Sequence, residues 1–302
     1  MTAALRRIWQ TALLEWSTAV RSRRALVLLL IYLSTSVLCM YGTVSILGRM
    51  ESELVSVLRL PTDAQTGVVS DTLWKAKPFQ RLVRSAVGNS LVFEDISRRH
   101  PMELVYAWFT FLFAPMLAVF VAGGRIADDL HSGAARYALV RVTRFEWSLG
   151  KYIGQALMIG LALAASALGA WTVIRCRLPT ASATALCVPM FGWGAKAWVY
   201  SLAWLGLAMG LSHLAGSSAK AVALGFFALF AFNVLPMTLK GLVEWAGAPD
   251  AILNLEALVP SGAENSLWRS SFTALASGSL HLILLGLLYL SAGAAVFARR
   301  DA

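Results

Sequence analysis

Charged side chains are scarce along this 302-residue chain, since Asp, Glu, Lys and Arg make up only 14% of it. In soluble domains about a quarter of the residues are charged. Hydrophobic residues supply 58% of the sequence, and its mean hydropathy is +0.66. This composition excludes an ordinary soluble domain and predicts an integral membrane protein.

The sequence also lacks the motifs that would give it chemistry of its own. HExxH, CxxC and GxSxG are absent, and the nearest approach to a phosphate loop, GWGAKAW at 192–198, has neither the spacing nor the Ser or Thr that would hold magnesium. The four histidines belong to different loops and spans, which argues against a metal site. We therefore expect no catalytic residue, no metal and no cofactor bound by this chain.

What the chain does have is six long runs without Asp, Glu, Lys or Arg. A helix needs about 20 apolar residues to cross a bilayer, and helical hydrogen bonding satisfies the backbone there. The predicted fold is an all-α integral membrane protein with six transmembrane helices, at 25–47, 104–124, 152–174, 197–216, 221–239 and 272–298. Within the fourth, Gly206 and Gly210 have the GxxxG spacing that lets another helix approach closely.

Few polar groups accompany these spans. Proton-driven carriers generally need buried carboxylates, and the absence of Asp and Glu from all six runs argues against such a carrier. The candidate pathway residues are uncharged: Ser34, Thr35, Gln155 and Asn233. They suit a hydrophobic or amphipathic cargo better than a small ion.

The distribution of basic residues predicts the orientation. With the N-terminus inside, the inner segments hold 13 of the 26 Lys and Arg, against five in the short outer segments 175–196 and 240–271. The segment 48–103 is set aside, because long loops translocate largely regardless of charge. The chain is predicted to lie in a bacterial-type inner membrane, with both termini on the cytoplasmic side. Anionic lipid explains the formal charge of +10, so nucleic acid is not expected as a partner.

Residues 1–24 precede the first span and have helical amphipathic spacing. Trp9 and Trp16 lie on the apolar face, with Arg6 and Arg7 elsewhere on the helix. This pattern predicts a cytoplasmic helix lying in the membrane interface, called the elbow helix below. A simple positively charged anchor is the alternative.

The segments 48–103 and 240–271 are predicted to lie outside the cytoplasm. Two short amphipathic helices are expected in the first, around Leu54, Val57 and Leu58 and around Phe79, Leu82, Val83 and Val87. A further short helix is expected in the second segment, between Pro249 and Pro260. Cys176 and Cys187 both fall near this outer surface, where they could form a disulfide; free thiols are the alternative.

The inner segment 125–151, GRIADDLHSGAARYALVRVTRFEWSLGK from Gly124 onward, concentrates charge between the second and third spans. Gly133 is expected to break the extended second helix, and 134–140 to form a short helix. The candidate coupling residues are Asp128, Asp129, Gly133, Arg136, Tyr137, Arg141, Arg144 and Lys151. The three arginines are predicted to face a partner, and the two aspartates to pair with them or with the elbow helix.

The order of these features resembles the permease subunit of type 2 ABC exporters. In that family an acidic segment, a glycine, a short helix, a basic turn and a lysine follow the second span, as Asp128, Asp129, Gly133, RYALV, Arg144, Gly150 and Lys151 do here. The elbow helix and the tail with Phe297, Arg299, Arg300 and Asp301 are also similar. Ala134 and Thr143 depart from the Thr and Pro common in the family.

The resemblance implies a division of labour between subunits. Two copies of a separate cytosolic ATP-binding cassette ATPase would bind ATP and magnesium and dock on 125–151. A second permease, either a copy or a homologue, would complete a dimer that exports its substrate through the interface of spans one, two and five. The alternative is a membrane scaffold or regulator that transports nothing and anchors cytosolic partners.

Overall fold

The protein is helical throughout the computed structural model, which describes residues 3–58, 80, 81, 84, 90–97, 99–177, 185–246 and 249–299. No β-strand occurs in these ranges, so the all-α prediction is confirmed for them. The α-helices are α1 Ala3–Arg21, α2 Arg23–Leu58, α3 Ser90–Ser97, α4 Pro101–Ala122, α5 Arg125–His131, α6 Ala134–Leu139, α7 Arg144–Arg177, α8 Cys187–Ser212, α9 Ser218–Ala246, α10 Glu264–Trp268 and α11 Phe272–Ala298. Two 3₁₀ helices, Asp250–Leu258 and Pro260–Ala263, precede α10.

Five helical stretches are long and apolar enough to cross a membrane. They are Arg23–Arg49, Pro101–His131, Arg144–Arg177, Ser218–Ala246 and Phe272–Ala298. Each contains one of the predicted runs, and the second joins α4 and α5 across Gly123 and Gly124. The chain is therefore a multi-pass membrane protein.

The remaining predicted run, 197–216, begins inside α8. This helix packs against α4, α7, α9 and α11. Ala203, Trp204 and Leu205 in its middle are fully buried. This helix is not among the five long apolar stretches, and Lys196 lies near its start.

Glycines bring α8 and α11 into backbone contact. A Cβ atom added to Gly206 would lie 2.0 Å from the carbonyl oxygen of Gly286, and one added to Gly210 would lie 2.5 Å from that of Tyr289. Gly293 on α11 is equally close to the backbone of Gly210. The close approach predicted from the GxxxG spacing is confirmed.

Gly206→Leu is expected to lower the free energy of unfolding by about 1 to 3 kcal/mol, because α8 and α11 must separate to admit the side chain. Gly192→Leu is the matched control on the same helix, since a Cβ there meets nothing within 4 Å. Thermal denaturation of the purified chain in detergent measures both. Equal melting temperatures for the two variants would contradict this packing.

The predicted outer segments are only partly described. The structure continues α2 through Leu58, and a 3₁₀ helix lies between Pro249 and Pro260 where a short helix was expected. This 3₁₀ helix contacts α9, and α10 contacts α3 and α11. The positions predicted for the second amphipathic helix of 48–103, namely Phe79, Leu82, Val83 and Val87, lie outside the described residues, as do Arg300 and Asp301 of the tail.

Candidate functional site

The segment between α4 and α7 forms two short helices around a glycine. Gly133 has φ +76°, a left-handed conformation that is costly for residues with a side chain. It ends the path of α5 and lets α6 start in a new direction. The short helix predicted at 134–140 corresponds to α6, Ala134–Leu139.

One face of α6 is unusually exposed. Tyr137 and Val140 are each 84% exposed, and Arg136 and Arg141 beside them are also exposed. Ala135 is buried on the opposite side, where α6 contacts α5 and α7. We call Arg136, Tyr137, Val140 and Arg141 the α6 tip. An aromatic ring and an apolar side chain between two guanidinium groups are suited to binding an acidic, partly apolar protein surface.

Arg144 lies apart from the α6 tip. Its Nη1 donates to the backbone oxygen of Phe297 at 2.8 Å, and its guanidinium carbon lies 4.9 Å from the centre of the Phe297 ring. Arg144 was predicted to face a partner together with Arg136 and Arg141, and that role stays a prediction. Its contacts join the start of α7 to the C-terminal end of α11.

A partly buried ionic cluster joins α1, α5 and α7. The Lys151 Nζ lies 2.7 Å from Glu15 Oε2 and 2.8 Å from Asp129 Oδ2, and Lys151 is only 5% exposed. Gln155 donates from Nε2 to Glu15, and Arg125 Nε lies 3.9 Å from the same carboxylate. We call Glu15, Arg125, Asp129, Lys151 and Gln155 the anchor cluster.

The two aspartates were predicted to pair with the three arginines or with the elbow helix. Asp129 pairs instead with Lys151, whereas Asp128 lies 3.9 Å from Arg24, the last residue of the predicted elbow segment and part of α2. Gln155 was predicted to line a pathway, but it is fully buried against Glu15. Its amide donates to the carboxylate of Glu15, and its role in a pathway stays a prediction.

Small residues allow α1 to lie directly on α7. A Cβ on Gly150 would lie 2.6 Å from Thr11 Cβ, and one on Gly154 would lie 2.8 Å from the carbonyl oxygen of Ala12. The contact face of α1 therefore carries small residues and Glu15. Glu15 was not among the residues that the amphipathic pattern of this helix singled out, and its partners on α7 are distant in sequence.

A second ion pair fixes the N-terminal half of α1. Arg7 donates to both carboxylate oxygens of Glu146, at 3.0 Å and 2.6 Å. Thr143 and Glu146 form a capping box. The backbone N–H of Thr143 donates to Glu146 Oε2 at 3.0 Å, and the backbone N–H of Glu146 donates to Thr143 Oγ1 at 3.2 Å. A Thr three residues before Glu at the start of a helix was the sequence signal for this cap.

The outward side of α1 is apolar, as the interfacial helix prediction requires. Trp9 is 46% exposed and Trp16 37% exposed, while Arg6 is also at the surface. The helix thus has one face packed on α7 and another that is exposed, and its position in the membrane interface stays a prediction.

The other predicted pathway residues do not share one surface. Ser34 and Thr35 are exposed on α2, where Thr35 donates to the carbonyl oxygen of Ile31. Asn233 is exposed on α9 and lines a cavity that also borders α4.

The structure contains Cys176 and Cys187 as free thiols. No group of three His, Cys, Asp or Glu residues placed to hold a metal ion occurs in the described ranges.

Comparison with known families gives one match that covers the described fold. A model of the family described as ABC-2 family transporter protein matches residues 9–302. The match thus includes most of the elbow helix, the α6 tip and all five apolar stretches. A comparison with curated proteins found no match.

Proposed function

The chain belongs to the ABC-2 family of transporter membrane proteins, and from that membership we propose that it is an export permease driven by a separate cytosolic ATPase. The ATPase would bind ATP and magnesium and dock on the α6 tip. The observation that carries the proposal is the α6 tip itself, an exposed basic and aromatic surface on a short helix that follows Gly133.

The attachment of α5 supports a role in transmitting force. Ser212 at the end of α8 accepts a hydrogen bond from the backbone N–H of Ala127 at 3.0 Å, and Lys151 links Asp129 on α5 to Glu15 on α1. A displacement of the α6 tip would therefore be passed to α7, α8 and the elbow helix together. A flexible loop would not do this.

The proposed arrangement has six spans, with α8 as the fourth, and both termini in the cytoplasm of a bacterial-type inner membrane. The α6 tip and the anchor cluster then lie on the cytoplasmic side. Two ATPase copies and a second permease, identical or homologous, would complete the complex. Most residues in the apolar parts of α2 and α9 are not buried inside the protein, which leaves broad faces for lipid and for the second permease.

Purification of the full chain from its native membrane in mild detergent tests the proposal. We expect a polypeptide with an ATP-binding cassette to co-purify, and the complex to hydrolyse ATP. The co-purified ATPase should be lost when the α6 tip is changed. A chain that purifies without any such protein, or with an ATPase that is indifferent to the α6 tip, would instead fit a scaffold that anchors other cytosolic proteins.

A further inference from the structure

A cavity of about 630 Å³ opens between α4 and α9 at the end of the bundle opposite the α6 tip. Its walls come from α3, α4, α8, α9 and α10, and most of them are apolar. Leu112 on α4 and Phe230 on α9 border it and are 61% and 68% exposed. The cavity is therefore reached from the side of the bundle, where lipid surrounds the protein.

Aromatic rings form the inner wall of this cavity. The ring of Phe111 lies 5.0 Å from that of Trp268 and 5.4 Å from that of Tyr200, and Trp108 lies 5.9 Å from Trp268. Faces of such rings carry partial negative charge and attract organic cations, most strongly where water is excluded. A purely aliphatic wall would not distinguish a cation from a neutral molecule.

One carboxylate, that of Glu264 at the start of α10, lines the same cavity. Trp268 donates from Nε1 to its Oε1 at 3.1 Å, and Tyr200 donates from its hydroxyl to Oε2 at 3.3 Å. No Lys or Arg within the described part of the chain lies within 4 Å of this carboxylate. Glu264 is thus held in place by neutral donors, and no described residue acts as its counter-ion.

Burial raises the pKa of Glu264 above its ordinary value, although the hydrogen bonds from Trp268 and Tyr200 act in the opposite direction. A carboxylate in this setting is stabilised when a positive charge approaches it. Neutral cargo would leave the ionised form uncompensated, and an anion would be repelled. The aromatic faces and the carboxylate of Glu264 therefore favour the same ligand class, an organic cation.

We propose that this cavity binds a lipophilic organic cation, an apolar molecule with an amine or a quaternary onium group, whose charge lies against Glu264 and the aromatic wall. Only the description of this ligand as cargo rests on the proposed export function. Binding itself requires neither the ATPase nor ATP.

The test is equilibrium binding of tetraphenylphosphonium to the full chain in lipid nanodiscs, with binding to protein-free nanodiscs subtracted. Tetraphenylborate, of nearly the same size and shape but opposite charge, is the matched probe. We expect saturable binding of the cation alone. Glu264→Gln should weaken it at least tenfold, whereas Glu244→Gln, on the exposed side of α9, should leave it unchanged.

A second variant covers the case in which Glu264→Gln fails to fold. Leu112→Trp fills the cavity from its exposed side without changing charge, and it should also weaken cation binding at least tenfold. Absence of saturable binding, unchanged affinity in either folded variant, or equal binding of tetraphenylborate would overturn the proposal. If a second copy of the permease filled the cavity, no saturable cation binding would be seen. Cross-linking from position 112 would then identify that second copy.

Failure of the cavity and failure of the proposed function give different results. If the cation does not bind but an ATP-binding cassette subunit co-purifies, the cargo class is wrong and the permease function stands. If the cation binds and no ATPase associates, the cavity is a ligand site of a protein that does not export.

Discussion

Replacing Lys151 with Met is expected to loosen the packing of α1 and α5 on α7 and to lower the free energy of unfolding by about 3 to 5 kcal/mol. Within the described part of the chain, Lys151 is the cation that lies within 3 Å of both Glu15 and Asp129. Its loss leaves the largely buried Glu15 with Arg125 at 3.9 Å and the amide of Gln155, and leaves the partly exposed Asp129 without its lysine. Breaking one side of a buried ion pair has a cost of this size, because the remaining charge is uncompensated. Thermal denaturation and the yield of monodisperse protein in detergent measure the effect.

A neutralised cluster separates charge from side-chain shape. Lys151→Met combined with Glu15→Gln and Asp129→Asn removes all three charges, and we expect it to recover more than half of the lost stability. Lys220→Met is the control, because Lys220 is exposed at the start of α9. A single Lys151→Met variant as stable as this control would show that the anchor cluster does not hold α1 in place.

Changing the α6 tip is expected to release the ATPase without affecting the fold. Arg136→Glu with Tyr137→Ala reverses one charge and removes an 84% exposed ring, so affinity for the ATPase should fall at least tenfold. Neither residue belongs to the buried core, and the melting temperature should stay close to that of the unchanged chain. Binding of the separately purified ATPase to the chain in nanodiscs is the measurement.

The matched control reverses a charge on the same side of the bundle. Lys220→Glu lies near the turn between α8 and α9, outside the α6 tip, and it should preserve the affinity. Equal losses in both variants would mean that general positive charge attracts the ATPase. In that case the α6 tip would not be a specific docking surface.

Hydropathy and glycine placement predicted the local structure well. Uncharged runs located five of the helices that can cross a membrane, and Gly133 between two helical patterns predicted the turn into α6. These features depend on residues close together in sequence. The sixth predicted run, 197–216, begins inside α8, which is not among these five stretches, so its role as a span stays a prediction.

Contacts between distant residues could not be predicted in the same way. Glu15 and Lys151 are 136 residues apart, and an amphipathic wheel places Glu15 with the solvent-facing charges of α1. Gln155 resembled a pathway residue because sequence shows that it is polar and within a span, but not which helix it faces. Glu264 was not predicted as a site residue, because its surroundings depend on the aromatic rings that α4 and α8 contribute.

Site-specific photocross-linking from position 137 tests the central claim most directly. A photoreactive residue in place of Tyr137, in cells that contain the native complex, should cross-link to a polypeptide with an ATP-binding cassette, and the same residue at position 220 should not. Cross-links from position 137 only to lipid, or to proteins without a nucleotide-binding domain, would contradict an ATPase docked on the α6 tip.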